Sequence, residues 1–265
     1  HRRIYRSEGP NACWHLDGYD KLVPYGFAIH GAICGYSRRV LWLEVLWSNK
    51  DPQVIAELYV SCVKEVGGCP QRVRTDCGTE NVVLSGMQCY LRAHGADEFA
   101  GEKAHIYGSS PSNQRIEAWW SFLRRACSSW WIDLFQDMFQ RGILELGNVY
   151  HKECLWYCYH KLIQKNMQEL RDHWNSHTIR KSPHETVPGI PDILYFLPER
   201  NGASNCLKEA PEAKIMELQD SLSENREENI FQEYFEYVIE TKGWFYPDNT
   251  GDAFEMFQQL THLAQ

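Results

Sequence analysis

The chain has 265 residues, 43% of them hydrophobic and 13% aromatic, which excludes a disordered tail and suits one substantial core with length left over for a helical appendage. No run approaches the roughly 18 apolar residues that span a bilayer, and the opening HRRIYRSEG lacks the apolar centre of a signal peptide, so neither a membrane span nor that secretory route is expected. The net charge of -8 is unevenly spread: after Asn205 stand 4 Lys or Arg against 13 Asp or Glu, which leaves 23 against 22 before it. The acidic stretch repels phosphates and is expected either to face away from nucleic acid or to bind something else; the neutral body carries no such exclusion.

The 10 cysteines lie in segments of helix and strand character, without the dense loop-rich spacing of a secreted scaffold. They are expected as reduced thiols in the cytoplasm or nucleus. A first residue of His rather than Met suggests a domain excised from a longer protein.

Taken in order, Arg2, Arg3 and Arg6 form a basic lead-in that either touches a phosphate backbone or is a solvated linker. Ala12 to Asp20 reads as a first strand, with Gly18 leaving room for a close ligand. The alternating Gly26 to Ser37 and the apolar Val40 to Trp47 read as an antiparallel hairpin. Asn49 or Asp51 then caps a helix with Pro52 at its first position, stopped by Gly67 and Gly68. Arg72 to Asp76 follows as a parallel strand reached by the helical crossover. A helix from Glu80 to His94 and a short strand from Ala104 to Tyr107 precede the turn Gly108 to Ser112. Ser112 is the expected N-cap of a long helix carrying Glu117, whose Trp119, Trp120, Trp130 and Trp131 are expected in the core rather than as base-stacking surfaces. A helix from Tyr150 to Ser176, an extended wrapping segment from Ser182 to Pro198, two acidic helices between Ala210 and Thr241 and a last helix from Asp252 to Leu263 complete the chain. His151, Cys154 and Cys158 share one helix face; three ligands from one helix do not readily enclose a tetrahedral ion, so they read as buried thiols.

Three carboxylates stand in motifs that chemistry would need together. Asp17 lies in CWHLDGYD, Asp76 in RTDCGTEN, and Glu117 in NQRIEAWW about 40 residues later. Hard divalent cations prefer such oxygens, and this set points to a metal site. The structural alternative for each acid is a helix cap or a solvated surface. Asp20 and Glu80 are rival carboxylates at expected turn caps, with Glu80 also a supporting neighbour of the site.

WHLDG, RTDCGTEN and NQRIEAWW, in this order and spacing, resemble the retroviral-type integrase core of the ribonuclease-H-like superfamily, in particular the integrase-core proteins of transposon- and retroelement-derived animal genes. HGAICGYSRRVLWLEV is similar to that family's second and third strands, and HWNSHTIRKSPHETVPGIPDILY to its segment after the core, so the likeness runs from Arg2 to about Pro198. Each motif alone is weak; three in order are strong.

The resemblance implies an α/β, ribonuclease-H-like fold: a mixed five-stranded sheet flanked by helices, with a C-terminal helical extension. The implied division is a catalytic core over residues 1–145, a post-core helix and wrapping segment over 146–200, and an acidic helical region over 201–265. It implies Asp17, Asp76 and Glu117 as a catalytic, metal-binding triad holding two Mg²⁺ or Mn²⁺ ions for DNA hydrolysis and strand transfer. Asn113, Gln114, Arg115 and Arg124 are the candidate DNA contacts, with Asn113 equally a cap and Arg124 and Arg125 equally a solvated face. DNA as partner, a homodimer or larger assembly, a nuclear location and a further protein partner for the acidic region complete the expectation. Cys34 departs from the pattern, since many relatives carry Asp there. A domesticated, non-catalytic descendant binding DNA or protein is the main alternative, and an RNA-hybrid nuclease a third.

Overall fold

The computed structural model describes residues 7–108, 113–181, 187–222 and 229–263. Trp14–Tyr19 (β1), Ala28–Cys34 (β2) and Val40–Leu46 (β3) form an antiparallel meander. Val73–Thr75 (β4) pairs parallel to β1, and His105–Tyr107 (β5) parallel to β4, so the order is β3-β2-β1-β4-β5. This is the expected mixed five-stranded sheet. Asp17 sits in its middle strand, opposite Gly31 of β2.

Side chains alternate across the sheet and feed two cores. Trp14 and Leu16 of β1 point into one, with Ile55, Tyr59 and Val63 of helix α1 (Pro52–Val66), Leu84 of α2 (Val82–Leu91) and Leu194 of α6 (Pro191–Phe196). Tyr19, Ile29 and Leu43 point into the other, against α3 (Gln114–Leu123), α4 (Ser129–Gln140) and α5 (Val149–Ser176). The acidic C-terminal stretch divides between these cores. Ile215 and Leu218 of α7 (Glu212–Leu222) join the first, while Phe235 of α8 (Ile230–Lys242) and Phe257 of α9 (Thr250–His262) join the second.

The helix ends follow local chemistry. Asp51 caps α1 by accepting from the Gln53 amide, Pro52 occupies the first turn, and Gly67 closes the helix at φ 76. Asn148 caps α5 in the same way, accepting from the amides of Tyr150 and His151. Strand β3 is an edge whose free backbone groups would invite pairing with another chain. Two side-chain amides of α5 satisfy them: Asn175 bonds both the N–H and C=O of Val40, and Gln164 bonds Val45 N–H and Leu43 C=O.

Several expectations change. The helix expected from Glu80 begins as a single 3-10 turn, Thr79–Asn81, and α2 ends at Leu91. In the segment expected to be extended from Ser182 to Pro198, of which 182–186 lie outside the described residues, Pro191–Phe196 forms α6, with Pro191 in the first turn, where its missing N–H costs nothing. The long helix bearing Glu117 is interrupted by a π-helical turn, Arg124–Ser128, in which the Ser129 N–H reaches back to Arg124 C=O. That turn shifts the buried stripe by one residue, from Ile116, Trp120 and Leu123 to Ser128, Trp131, Phe135 and Met138. Trp119, Trp120 and Trp131 are buried as expected, whereas Trp130 is 53% exposed. Residues Ser112, Arg2, Arg3 and Arg6 lie outside the described residues. Cys154 and Cys158 are buried in the core, and none of the 10 cysteines is paired.

Candidate active site

Strand β1 presents His15, Asp17 and Tyr19 at its two-residue period to the face covered by α3. The helix grips each of them. Asn113 Oδ1 lies 2.7 Å from His15 Nδ1 while its Nδ2 donates to Leu16 C=O at 2.8 Å. Trp120 Nε1 donates to Asp17 Oδ2 at 2.9 Å, and Ser128 Oγ lies 2.6 Å from the Tyr19 hydroxyl. The π-helical turn is what brings Ser128 round to this face. Glu117, one turn into α3, is thereby fixed over the middle strand.

Asp17, Asp76 and Glu117 line one cleft of about 590 Å³ at the carboxyl end of β1 and β4. Asp20, Glu80, Lys21, Lys50, Asn49, Asn81, Trp120 and Arg124 share it. Asp76 Oδ1 and Glu80 Oε1 both accept from the buried Asn81 amide, at 3.0 and 2.9 Å, and Asp20 accepts from Asn49 at 2.6 Å. Asp17, Asp20, Asp76 and Glu80 are thus held by neutral N–H donors, and among the described residues none of these four forms an ion pair. Neutral donors orient a carboxylate without cancelling its charge.

The charges of the neighbouring acids act on Asp17. Burial raises the Asp17 carboxyl to about 7; the Trp120 N–H opposes this, and the negative charges of Glu117 and Asp76 add to it. Burial holds His15 neutral, with its pKa pushed down to about 3, so it adds no cation beneath the site. His30, which accepts from Trp42 Nε1, is lowered to about 3 by the same cause.

The candidate DNA contacts separate. Arg124 is exposed and lines the cleft. Asn113 is 1% exposed and both ends of its amide are engaged inside the protein, so it locks α3 to β1 and does not reach a phosphate; nor does it cap α3 through its side chain. Gln114 and Arg115 are half-buried and absent from the cleft lining. The space beside Gly18, expected to receive a ligand, holds the Asn49 amide: a Cβ there would meet Asn49 Nδ2 at 2.3 Å. Lys21, Lys50, Asn81 and Trp120 went unrecognised in the sequence. Lys21 follows β1 and Lys50 precedes α1, and only the folding of two distant loops onto one rim unites them. Cys34 is buried in the core on the opposite sheet face, away from the cleft.

The donor set suits a hard divalent cation, being carboxylate oxygen throughout. The cluster is open: among the described residues no three His, Cys, Asp or Glu side chains form a group that by itself could hold a metal ion. A cation that keeps waters and takes substrate phosphates as ligands fits such a site; a fully protein-caged one does not. No described helix is long and apolar enough to cross a membrane.

Comparison with curated proteins gives no match. A family model described as the integrase core domain matches residues 4–195, which takes in all five strands, the five acids of the cleft and the helix that follows the core. That family carries integrase- and transposase-like functions on nucleic acid, and the order of strands and the match across most of the length agree: the chain belongs to the integrase core domain family.

Proposed function

We propose that the chain is a metal-dependent DNA strand transferase in which Asp17, Asp76 and Glu117 are the catalytic carboxylates. The observation that carries this reading is the raised carboxyl of Asp17, driven partly by the charges of Asp76 and Glu117 across one cleft. Acids that repel in this way gain from a shared cation.

Mg²⁺ or Mn²⁺ ions bound there would supply activation of an attacking oxygen and charge stabilisation of a leaving oxygen. Asp17, from the middle strand, Asp76, from a strand end, and Glu117, from a helix, would hold them. Lys21, Lys50 and Arg124, on the same cleft, draw in the phosphate backbone that the acids would otherwise repel. In the first step water attacks a phosphorus and the bond to a 3′-oxygen breaks, leaving a 3′-hydroxyl on one end. That hydroxyl then attacks a phosphorus of target DNA and displaces the target's 3′-oxygen, so one phosphodiester forms as one breaks. A nuclear location follows as a proposal from DNA being the substrate.

A second reading, a non-catalytic descendant that uses the fold for binding, is favoured by the open arrangement of the acids and by the donors that already occupy Asp17 and Asp76. Calorimetric titration of Mn²⁺ and Mg²⁺ into the protein with short duplex DNA, native against Asp76→Asn, separates the two. Binding that the substitution abolishes supports the strand transferase, to be followed by a strand-transfer assay. Identical responses of both proteins up to millimolar metal would favour the binding scaffold.

A further inference from the structure

Trp120 is one of the largest side chains in α3 and is 6% exposed, yet its one polar atom is spent on the cleft. The indole Nε1–H donates to Asp17 Oδ2 at 2.9 Å. Its ring reaches that point by lying across β2 where the strand has no side chain: a Cβ on Gly31 would stand 2.9 Å from Trp120 Cη2 and 3.3 Å from the Trp42 carbonyl oxygen. Gly31 is the residue directly opposite Asp17 in the β1–β2 register. The ring is held from the other sides by Tyr19, with centroids 5.4 Å apart, and by Trp119, also at 5.4 Å. The glycine, the indole and the aspartate therefore form one unit, in which a bulky donor is seated in a notch cut for it.

We propose that Trp120 is the positioning residue of Asp17: seated over Gly31, its N–H ties back one carboxylate oxygen and so fixes the orientation in which Asp17 offers the other to a divalent cation. This rests on the reading of the cleft as a metal-dependent site. The physical ground is the general behaviour of metal-ligating carboxylates, which are themselves hydrogen-bonded, and whose partners tune affinity without touching the ion. A carboxylate on a mid-strand residue has free rotation about its terminal torsion unless something fixes it. Here the indole does so, beside a bond from the Gly18 backbone N–H, without adding a charge, which a lysine or arginine in the same place would.

The test measures Mn²⁺ binding by the loss of the free-ion paramagnetic resonance signal, with short duplex DNA present, and thermal unfolding without metal as the check on folding. Trp120→Phe keeps the aromatic packing and removes the N–H. Gly31→Ala leaves Trp120 intact and pushes its ring out of the notch. Trp119→Phe alters a neighbouring buried ring that makes no bond to Asp17. The expected result is that Trp120→Phe and Gly31→Ala each weaken Mn²⁺ binding about 10- to 100-fold, while Trp119→Phe leaves it within about twofold, all three remaining folded. Native-like Mn²⁺ affinity in folded Trp120→Phe overturns the proposal, as does an equal loss in Trp119→Phe. Asp76→Asn in the same assay separates the two ideas. If Asp76→Asn loses binding and Trp120→Phe does not, only the positioning role falls. If the native protein binds no Mn²⁺, the metal-site reading falls and the positioning role with it.

Discussion

His15 and Asn113 meet inside the protein with Nδ1 and Oδ1 2.7 Å apart, and this contact sets where the helix carrying Glu117 begins. Because Asn113 Nδ2 donates to Leu16 C=O, its Oδ1 is an acceptor, and His15 must carry its proton on Nδ1. Burial keeps the ring neutral, against the Asn113 bond, which favours the charged form. Asn113→Ala would take from the buried His15 Nδ1–H and the Leu16 carbonyl the bonds this amide makes to them, at about 1–3 kcal/mol for each group. A loss near about 3 kcal/mol is expected in urea unfolding, the two deficits partly relieved by water. A loss under about 0.5 kcal/mol would mean that the packing of α3, and not this amide, sets its start.

Asp17 gives the metal-free protein a distinctive pH response. Its folded carboxyl is raised to about 7 from the ordinary 3.8, so the folded state holds the extra proton between those values. The stability this contributes is fully present below 3.8 and lost as pH rises through about 7. Asp17→Asn keeps an acceptor for Trp120 and removes the titration. It should therefore be more stable than the native protein at pH 8, by about 2 kcal/mol after allowance for the partial exposure of the group, and equal to it at pH 4. The buried His15 runs the other way, since its contribution is lost as pH falls from 6.5 towards about 3. It is present in both proteins and cancels in their difference. Thermal unfolding at the two pH values decides the matter, and a difference that does not change with pH would refute the assignment of the raised carboxyl.

The π-helical turn makes a sharper prediction about stability. Ile116, Trp120 and Leu123 on one side of it and Ser128, Trp131, Phe135 and Met138 on the other lie in stripes one residue out of step. Removing the exposed Ala126 would bring the two stripes into a continuous α-helical repeat with the same side chains facing the core. The deletion variant should fold and unfold at a temperature equal to or above that of the native chain. Failure to fold would show that the turn is required for more than register.

Much of this was readable in the sequence, and the reason is local chemistry. Asp51-Pro52 and Gly67-Gly68 delimit α1 because capping and left-handed closure depend on the residues at hand. The alternation around Asp17 placed it on a strand, and the three motifs pointed to the integrase core family. What was missed depends on distant contacts. Asn113 looks like a surface cap until His15, 98 positions away, is found against it. Trp120 looks like core packing alone, because its bond to Asp17 spans 103 positions. Trp130 was expected in the core with the other tryptophans, but it is exposed, because the π-helical turn before it shifts the buried stripe by one residue. The acidic tail read as one appendage, since composition reports charge and not which side of the sheet each apolar stripe will find.

Lys21, Lys50 and Arg124 supply the last prediction, because they share the cleft with five acids and DNA can approach only if those acids are offset. Lys21 follows β1, Lys50 precedes α1 and Arg124 opens the π-helical turn, so the three come from separate parts of the chain. All are exposed, none of the three forms an ion pair among the described residues, and their charge is therefore available to phosphates. Each phosphate neutralised releases condensed counterions, which makes log K fall with log salt by about 0.9 per contact on duplex DNA. Lys21→Gln, Lys50→Gln and Arg124→Gln should each weaken duplex binding several-fold at low salt, and each should reduce the slope by roughly 1. Sequence preference should not change, since phosphate contacts position the protein and do not read bases. Anisotropy titrations over a salt series measure both quantities. An unchanged slope in the triple variant would mean that DNA lies on another face, and that the acids of this cleft are not its neighbours.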